Sequence, residues 1–232
     1  IRVYHHKQNK GLVKNWEFVF NHCRGEYVAM LEGDDFWLSK NKLQKQVEWL
    51  DEHPDFVITS TNVRVVSKHI EDTNRWFVHR REGVVAPIEY LNPGIAQTSS
   101  VVIRNVTKDI TYPHWMYVTD TYTFLWICNF GKAYHFEEEM SVYWRHDGNV
   151  TESKQYMSDV VATMKWAKQH RMMQTVFPQY AKELLVYEEQ ELKELSKISY
   201  KLVPKNVWTY RVRYMWLHKE LCFSKYMLKT IQ

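Results

Sequence analysis

The sequence predicts an α/β fold with a layered central sheet, followed by an all-helical region. Over the first 66 residues, apolar runs of strand length alternate with segments of helical periodicity in the order β-α-β-α-β. That alternation is typical of a three-layer α/β sandwich. From Glu152 to Leu202 the apolar spacing is helical throughout. The predicted domains are therefore residues 1–151, an α/β domain, and residues 152–232, a helical extension.

The first 66 residues supply the early elements of the sheet. IRVYH predicts a short strand, and GLVKNWEFVFNHC has apolar residues at helical spacing. YVAML is a continuous apolar run, which suits a buried strand of a parallel sheet. Ser39 is placed to cap the next helix, which has Leu43, Val47 and Leu50 on one face. FVITSTNVRVV then predicts the third strand.

The later elements are less regular. Residues 67–97 are polar, apart from a short helix predicted at PIEYL. TSSVVIR predicts a strand, VTDTYTFLWICNFG a helix that ends at Gly131, and KAYHFEEEMSVYWRH a strand. In the helical region, Pro178 is well placed to begin a helix, and KNVWTYRVRYMWLHKELCFSKYMLK predicts the last one.

Composition and charge exclude several classes of protein. Hydrophobic content is 45%, with 7 Gly and 6 Pro, which indicates a packed chain rather than a disordered or collagen-like one. The net charge is +4, but residues 198–232 hold seven Lys or Arg against Glu220 alone, which makes them +6 and the body −2. A slightly acidic body without a recognition motif argues against nucleic-acid binding. The three cysteines are far apart, and we expect them to be reduced, in a cytoplasmic protein.

Three carboxylates follow the apolar run YVAML directly: Glu32, Asp34 and Asp35, with Gly33 between the first two. In open α/β sheets, ligands bind outside the carboxyl ends of the strands. Carboxylate oxygens suit Mg²⁺ or Mn²⁺, which keeps coordination positions open for phosphate oxygens, and glycine lets the backbone approach a ligand closely. The alternative is that acidic residues just before a helix cap it and interact with its dipole.

The order of several motifs resembles the inverting glycosyltransferases of family 2, which have the Rossmann-like GT-A fold. The motifs are GEYVAMLEGDDFW and KLQKQVEWLDEHP, followed by TSSVVIR, TDTYTFLWI and YWRHDGNVT, and the resemblance covers about residues 1–151. The family's Asp-x-Asp corresponds here to Glu32-Gly33-Asp34, so Asp34 is the preferred metal ligand. The family begins with two strands that hold uracil and ribose, and these have no counterpart in this sequence. We therefore expect an N-terminally incomplete GT-A domain, without its first βαβ unit, from a longer protein.

The resemblance also implies a chemistry and a set of site residues. It implies a nucleotide-diphosphate sugar as donor, usually linked to UDP, and Mn²⁺ or Mg²⁺ as cofactor. The implied metal ligands are Asp34, Glu32, Asp35 and His146, and the implied donor contacts are Lys10, Asn15, Gly33 and Arg145. Asp120 matches the family's general base, with helix capping as its alternative, and a solvent-facing loop is the alternative for His146 and Arg145.

Two functions are open at this stage. The first is inverting sugar transfer to a glycan or a lipid-linked acceptor during synthesis of a cell-surface polysaccharide. The second is a non-catalytic, glycosyltransferase-like module that binds a glycan or a partner enzyme. The absent donor half favours the second, whereas the carboxylates and Asp120 favour the first.

The C-terminal segment also has two interpretations. Arg211, His218, Lys225 and Lys229 share one face of the predicted last helix. A basic helix with Trp and Tyr can lie on an anionic membrane surface, which would place the protein peripherally on the inner face of a membrane. Alternatively, the helix packs on the catalytic domain with its lysines in solvent, because its aromatic residues are spread around the helix.

Overall fold

A mixed β-sheet organises the first part of the chain in the computed structural model, which describes residues 2–67, 79–92, 94–108, 110–146, 159–197 and 212–213. The described strands are β1 (Tyr27–Ala29), β2 (Phe36–Trp37), β3 (Phe56–Ser67), β4 (Gly83–Val85), β5 (Val102–Arg104) and β6 (Lys132–Arg145). The order across the sheet is β1-β5-β3-β6-β2, and β4 also pairs with β6. The helices of this part are α1 (Gly11–His22), α2 (Lys42–Glu52) and α3 (Asp120–Ile127). The predicted α/β class is confirmed.

Strand direction brings two carboxyl ends to one edge of the sheet. Strand β1 is antiparallel to β5, and β5 is antiparallel to β3, so β1 and β3 run in the same direction. Strand β6 is parallel to β3. The chain segments that follow β1 and β6 therefore leave the sheet at the same edge, although these strands are not neighbours.

YVAML forms a strand, but the expectation that this strand is buried in a parallel sheet was wrong. Among the described residues β1 pairs only with β5, in antiparallel orientation, and of its three residues only Val28 is buried. The apolar run is longer than the strand: β1 ends at Ala29, and Leu31 lies beyond it and is exposed. The strand expected at IRVYH is also absent, because residues 2–6 pair with no strand in the described part of the chain.

Helix α2 forms and buries Leu50 as predicted, with Val47 packed against the core, but its buried face is turned toward Lys42 and Gln46. The buried residues are Lys42, Gln46 and Leu50, whereas Leu43 is exposed. Polar contacts explain the rotation: Gln46 Nε2 donates to Ser100 O at 3.0 Å and to Thr59 Oγ1 at 3.3 Å. A helix face that forms hydrogen bonds with the sheet is not recognisable from apolar periodicity alone.

Residues 150–232 form a second compact unit, separate from the unit of residues 1–149. Its described helices are α4 (Asp159–Val176) and α5 (Ala181–Lys197), joined by a 3-10 turn that begins at Pro178 as expected. Glu188 of α5 is buried, and it accepts hydrogen bonds from Gln174 Nε2 at 2.8 Å and from Arg213 Nη2 at 3.1 Å. Arg213 is thus anchored to α5 rather than solvated.

The rest of the predicted last helix, including Arg211, His218, Lys225 and Lys229, lies outside the described residues. The two interpretations of that segment therefore stay predictions. No helix within the described ranges combines the length and the apolar character that crossing a bilayer requires.

Lys42 provides a test of how this fold responds to pH. Its side chain is fully buried, its Nζ has no hydrogen-bond partner, and burial lowers its pKa to about 7. The Trp37 ring lies 4.9 Å from Nζ, but a ring face does not replace hydrogen bonds to water. The unfolded chain keeps a Lys proton up to about pH 10.4. Between that pH and about 7 the unfolded state binds more protons, so stability rises with pH there.

We expect the substitution Lys42→Met to raise the free energy of unfolding at pH 7.5. It should also remove a slope of up to about 1.4 kcal/mol per pH unit between neutral pH and about pH 10. Urea unfolding at several pH values measures both effects. Lys40→Met is the matched control, since Lys40 is exposed, and it should change stability by less than about 0.5 kcal/mol. Equal slopes in the wild type and Lys42→Met would contradict the buried, neutral amine.

Candidate functional site

The segments that follow β1 and β6 bring an acidic and an imidazole side chain together. Asp34 lies five residues beyond the end of β1, and His146 lies directly after β6. Asp34 Oδ2 is 3.2 Å from His146 Nε2, although 112 positions separate the two residues. Both side chains are partly exposed, 38% for Asp34 and 29% for His146, so a ligand can reach them. The structure thus joins two of the four residues that were predicted to bind a metal.

The neighbouring carboxylate, Asp35, has a different environment. It is buried, and both of its oxygens accept hydrogen bonds from the protein: Oδ2 from Gln97 Nε2 at 2.6 Å, and Oδ1 from the Trp144 backbone N–H at 3.1 Å. Burial raises the pKa of Asp35, while these two hydrogen bonds oppose that rise. We call residues 32–35 the acidic loop. Asp35 therefore connects the acidic loop to β6, the strand that ends beside His146.

Gln97 completes this connection, and sequence reasoning did not find it. Its Oε1 accepts hydrogen bonds from the Ser99 N–H at 2.6 Å and from the Ser99 hydroxyl. Ser99 O in turn accepts from the Trp37 indole at 3.0 Å and from Ser141 Oγ at 2.9 Å. One buried polar network thus joins three parts of the chain: the acidic loop, strand β6, and the segment that precedes β5. A Gln in a polar stretch carries no sequence signal for such a role.

Glu32 and Gly33 lie in the same loop but differ in their access to solvent. Glu32 Oε2 is completely buried and has no hydrogen-bond partner, and burial raises the pKa of Glu32 to about 7 despite a hydrogen bond from Thr98. Gly33 is exposed, and a Cβ built on it would meet no atom within 4 Å. Packing within the protein therefore does not require glycine at position 33. Both residues stay candidates for ligand contact.

Of the remaining predicted donor contacts, Arg145 directly precedes His146 in the chain, whereas Lys10 and Asn15 lie before and within α1. Arg145 is buried at the end of β6, and strand alternation sends it to the face opposite Trp144. Lys10 precedes α1, and its Nζ lies over the Phe18 ring at 4.9 Å. Asn15 is exposed on α1. No described contact joins Lys10 or Asn15 to Asp34, so their donor role stays a prediction.

Asp120 is the first residue of α3, a helix with a mostly buried surface. Its Oδ1 accepts a hydrogen bond from the Thr121 N–H at 2.8 Å. Burial raises the pKa of Asp120 above its ordinary value, and only backbone hydrogen bonds oppose that rise. The preceding residue, Thr119, makes no side-chain capping bond. Asp120 thus performs local capping through one oxygen, and its environment makes its carboxylate a stronger base than one in water.

The comparisons with known proteins identify the class of this α/β domain. Residues 1–145 match the family model described as Glycosyl transferase family 2. Uncharacterized proteins of Mycobacterium tuberculosis and Mycobacterium bovis are each 33% identical over 140 residues, which are 60% of this chain. The chain covers 40% of the length of these relatives.

Solved structures of S. aureus TarS are also similar to this chain, though more distantly. TarS residues 1–349, determined in complex with UDP, align at 12% identity with a TM-score of 0.45, over 87% of this chain and 67% of that one. A second TarS structure aligns at 14% identity with a TM-score of 0.41, over 84% and 37% of the two chains.

The role of Gln97 is directly testable. In Gln97→Leu the buried Asp35 carboxylate loses its 2.6 Å donor, and we expect the free energy of unfolding to fall by about 1–3 kcal/mol. Chemical denaturation measures the change. The control Gln44→Leu makes the same substitution on the exposed surface of α2 and should cost less than about 0.5 kcal/mol. Equal effects of the two substitutions would exclude a special role for Gln97.

Proposed function

The chain belongs to glycosyl transferase family 2, and we propose that it transfers a sugar from a UDP-linked donor to a hydroxyl of a glycan or lipid-linked acceptor, with inversion. The observation that carries the proposal is the partly exposed pair of Asp34 and His146, at the edge of the sheet where β1 and β6 end. Ligands of open α/β sheets bind at that edge. A hard anion such as a diphosphate needs a cation between it and a carboxylate.

Asp34 and His146 fit a divalent cation such as Mn²⁺ or Mg²⁺. Carboxylate oxygen suits both Mg²⁺ and Mn²⁺, imidazole nitrogen is a ligand that favours Mn²⁺ over Mg²⁺, and Glu32 Oε2 in the same loop is a buried oxygen without a hydrogen-bond donor. Within the described ranges, no three His, Cys, Asp or Glu side chains are arranged to hold an ion. A site with two protein ligands is the usual form for an ion that also binds substrate phosphates. When bound, the cation would offset the negative charge that develops on the leaving diphosphate.

Asp120 would act as the general base. The acceptor hydroxyl gives its proton to this carboxylate while its oxygen forms a bond to the anomeric carbon of the donor sugar. The bond from that carbon to the diphosphate oxygen breaks, and its electron pair leaves with the diphosphate. Because nucleophile and leaving group occupy opposite faces of the sugar, one displacement inverts the anomeric centre. The burial that raises the pKa of Asp120 strengthens this base.

We expect the Asp34→Asn variant of the intact natural protein to bind UDP in the presence of Mn²⁺ at least ~100-fold more weakly than the wild type. Changes outside the direct ligands already cost 10–100-fold in metal affinity. Isothermal titration calorimetry with Mn²⁺ and with chelator measures this loss. Asp51→Asn removes the same charge from α2 and should leave binding unchanged. Wild-type binding of UDP that is equally tight in chelator would exclude the metal.

For Asp120→Asn we expect donor binding close to that of the wild type and sugar transfer slower by at least ~100-fold, the scale of losing a general base. In the wild type, transfer should slow as pH falls through the raised pKa of Asp120, because only the deprotonated carboxylate accepts a proton. The variant should lack this limb of the pH profile. Transfer at the wild-type rate would remove Asp120 from the mechanism, and donor binding without any transfer in the wild type would favour the non-catalytic module.

A further inference from the structure

The acid–imidazole pair has an apolar neighbourhood on the sheet surface. Strands β3, β6 and β2 are adjacent, and the register places Val66 of β3 opposite Trp144 of β6, and Phe36 of β2 opposite Val142 of β6. Because side chains alternate along a strand, Trp144 and Val142 share a face, so Trp144 and Phe36 are diagonal neighbours. We call Phe36, Val66 and Trp144 the apolar platform.

The three side chains of the platform are exposed, whereas Val142, on the same face of β6, is buried. Phe36 is 48% exposed, Trp144 45% and Val66 41%. Trp144 is the exposed tryptophan among those in the described ranges. Trp37, the aromatic residue next to Phe36, points to the other face, where its indole donates to Ser99 O. Exposure of Phe36 and Trp144 is therefore specific to one face of the sheet.

The platform is fixed relative to Asp34 and His146. The Trp144 and His146 rings contact each other with centroids 5.5 Å apart, and His146 Nε2 is 3.2 Å from Asp34 Oδ2. The backbone N–H of Trp144 donates a hydrogen bond to Asp35, the residue next to Asp34 in the chain. The same buried carboxylate thus holds both the acidic loop and the backbone of the platform, so neither has to be ordered when a ligand binds.

We propose that the apolar platform binds pyranose rings of the acceptor, which is a saccharide chain rather than a single sugar. A pyranose has a face of C–H groups that packs on the negative face of an aromatic ring, while its hydroxyls extend sideways to polar groups. Three adjacent strands at about 4.8 Å spacing span roughly 10 Å, wider than one ring requires. This inference rests on the proposed function, because Asp34 and His146 supply the end at which the chain would be extended.

The test uses an array of neutral pyranose oligosaccharides, with the intact natural protein as analyte. The variant Trp144→Thr removes the ring but places another strand-forming residue at this position. It also keeps the backbone N–H that donates to Asp35. We expect it to bind oligosaccharides at least ~10-fold more weakly, as when a central aromatic side chain is removed from a binding site. Trp144→Phe, which keeps an aromatic face, should restore most of the affinity. Phe36→Thr should weaken binding in the same direction and serves if Trp144→Thr does not fold.

The control variant is Phe130→Ala, which removes an aromatic side chain beyond α3 that is at least as exposed as Phe36 and Trp144, and it should leave oligosaccharide binding unchanged. Binding of UDP with Mn²⁺ is measured in parallel, and it should be unaffected by Phe36→Thr, because Trp144 and not Phe36 supplies the ring that contacts His146. Undiminished oligosaccharide binding in both Trp144→Thr and Phe36→Thr, or no binding in the wild type, would overturn the inference. So would loss of UDP binding alone, which would make the platform a nucleobase site. Absence of UDP binding in the wild type counts instead against the proposed function.

Discussion

The buried carboxylate of Asp35 is the constraint on which the candidate site depends. It accepts one hydrogen bond from Gln97 and one from the backbone of Trp144, and so it ties three chain segments together over separations of 62 and 109 residues. A carboxylate without such partners would be costly to bury. With both oxygens bound, it fixes the acidic loop against β6. The approach of Asp34 to His146 follows from that attachment.

Two adjacent aspartates have different environments because their burial differs. Asp34 is partly exposed and lies beside an imidazole, so solvent reaches its side chain. Asp35 is buried and bonded within the protein, so it acts as an anchor. Glu32 is intermediate, since it has one oxygen that is buried and unpaired. In an acidic cluster, the number of carboxylates therefore does not indicate how many can bind a metal.

Polar groups also decide how the layers pack around the sheet. The hydrogen bonds of Gln46 orient a polar face of α2 toward β3 and the segment before β5. Lys42, one turn earlier on the same face, is therefore buried as well. A similar network lies at the other side of β3, where His135 bonds to Ser60 and Asn62, and Asn62 binds the backbone at Arg80. Burial lowers the pKa of His135 to about 4, so this histidine stays neutral at physiological pH. The network around His135 favours one packing arrangement, because a buried partner left without its hydrogen bond would be costly.

The sequence alone determined the α/β class, the positions of α1, α2, α3 and β6, the start of a helical turn at Pro178, and the family. These follow from local periodicity and from motif order, which a linear chain carries explicitly. It also indicated Asp34 and His146 as partners, and the structure brought them together. It did not determine that β1 pairs in antiparallel orientation, that Lys42 and Gln46 face inward, or that Gln97 binds Asp35. Those features depend on hydrogen bonds between residues 13 to 62 positions apart or on strand neighbours, and only the folded chain brings such partners within reach.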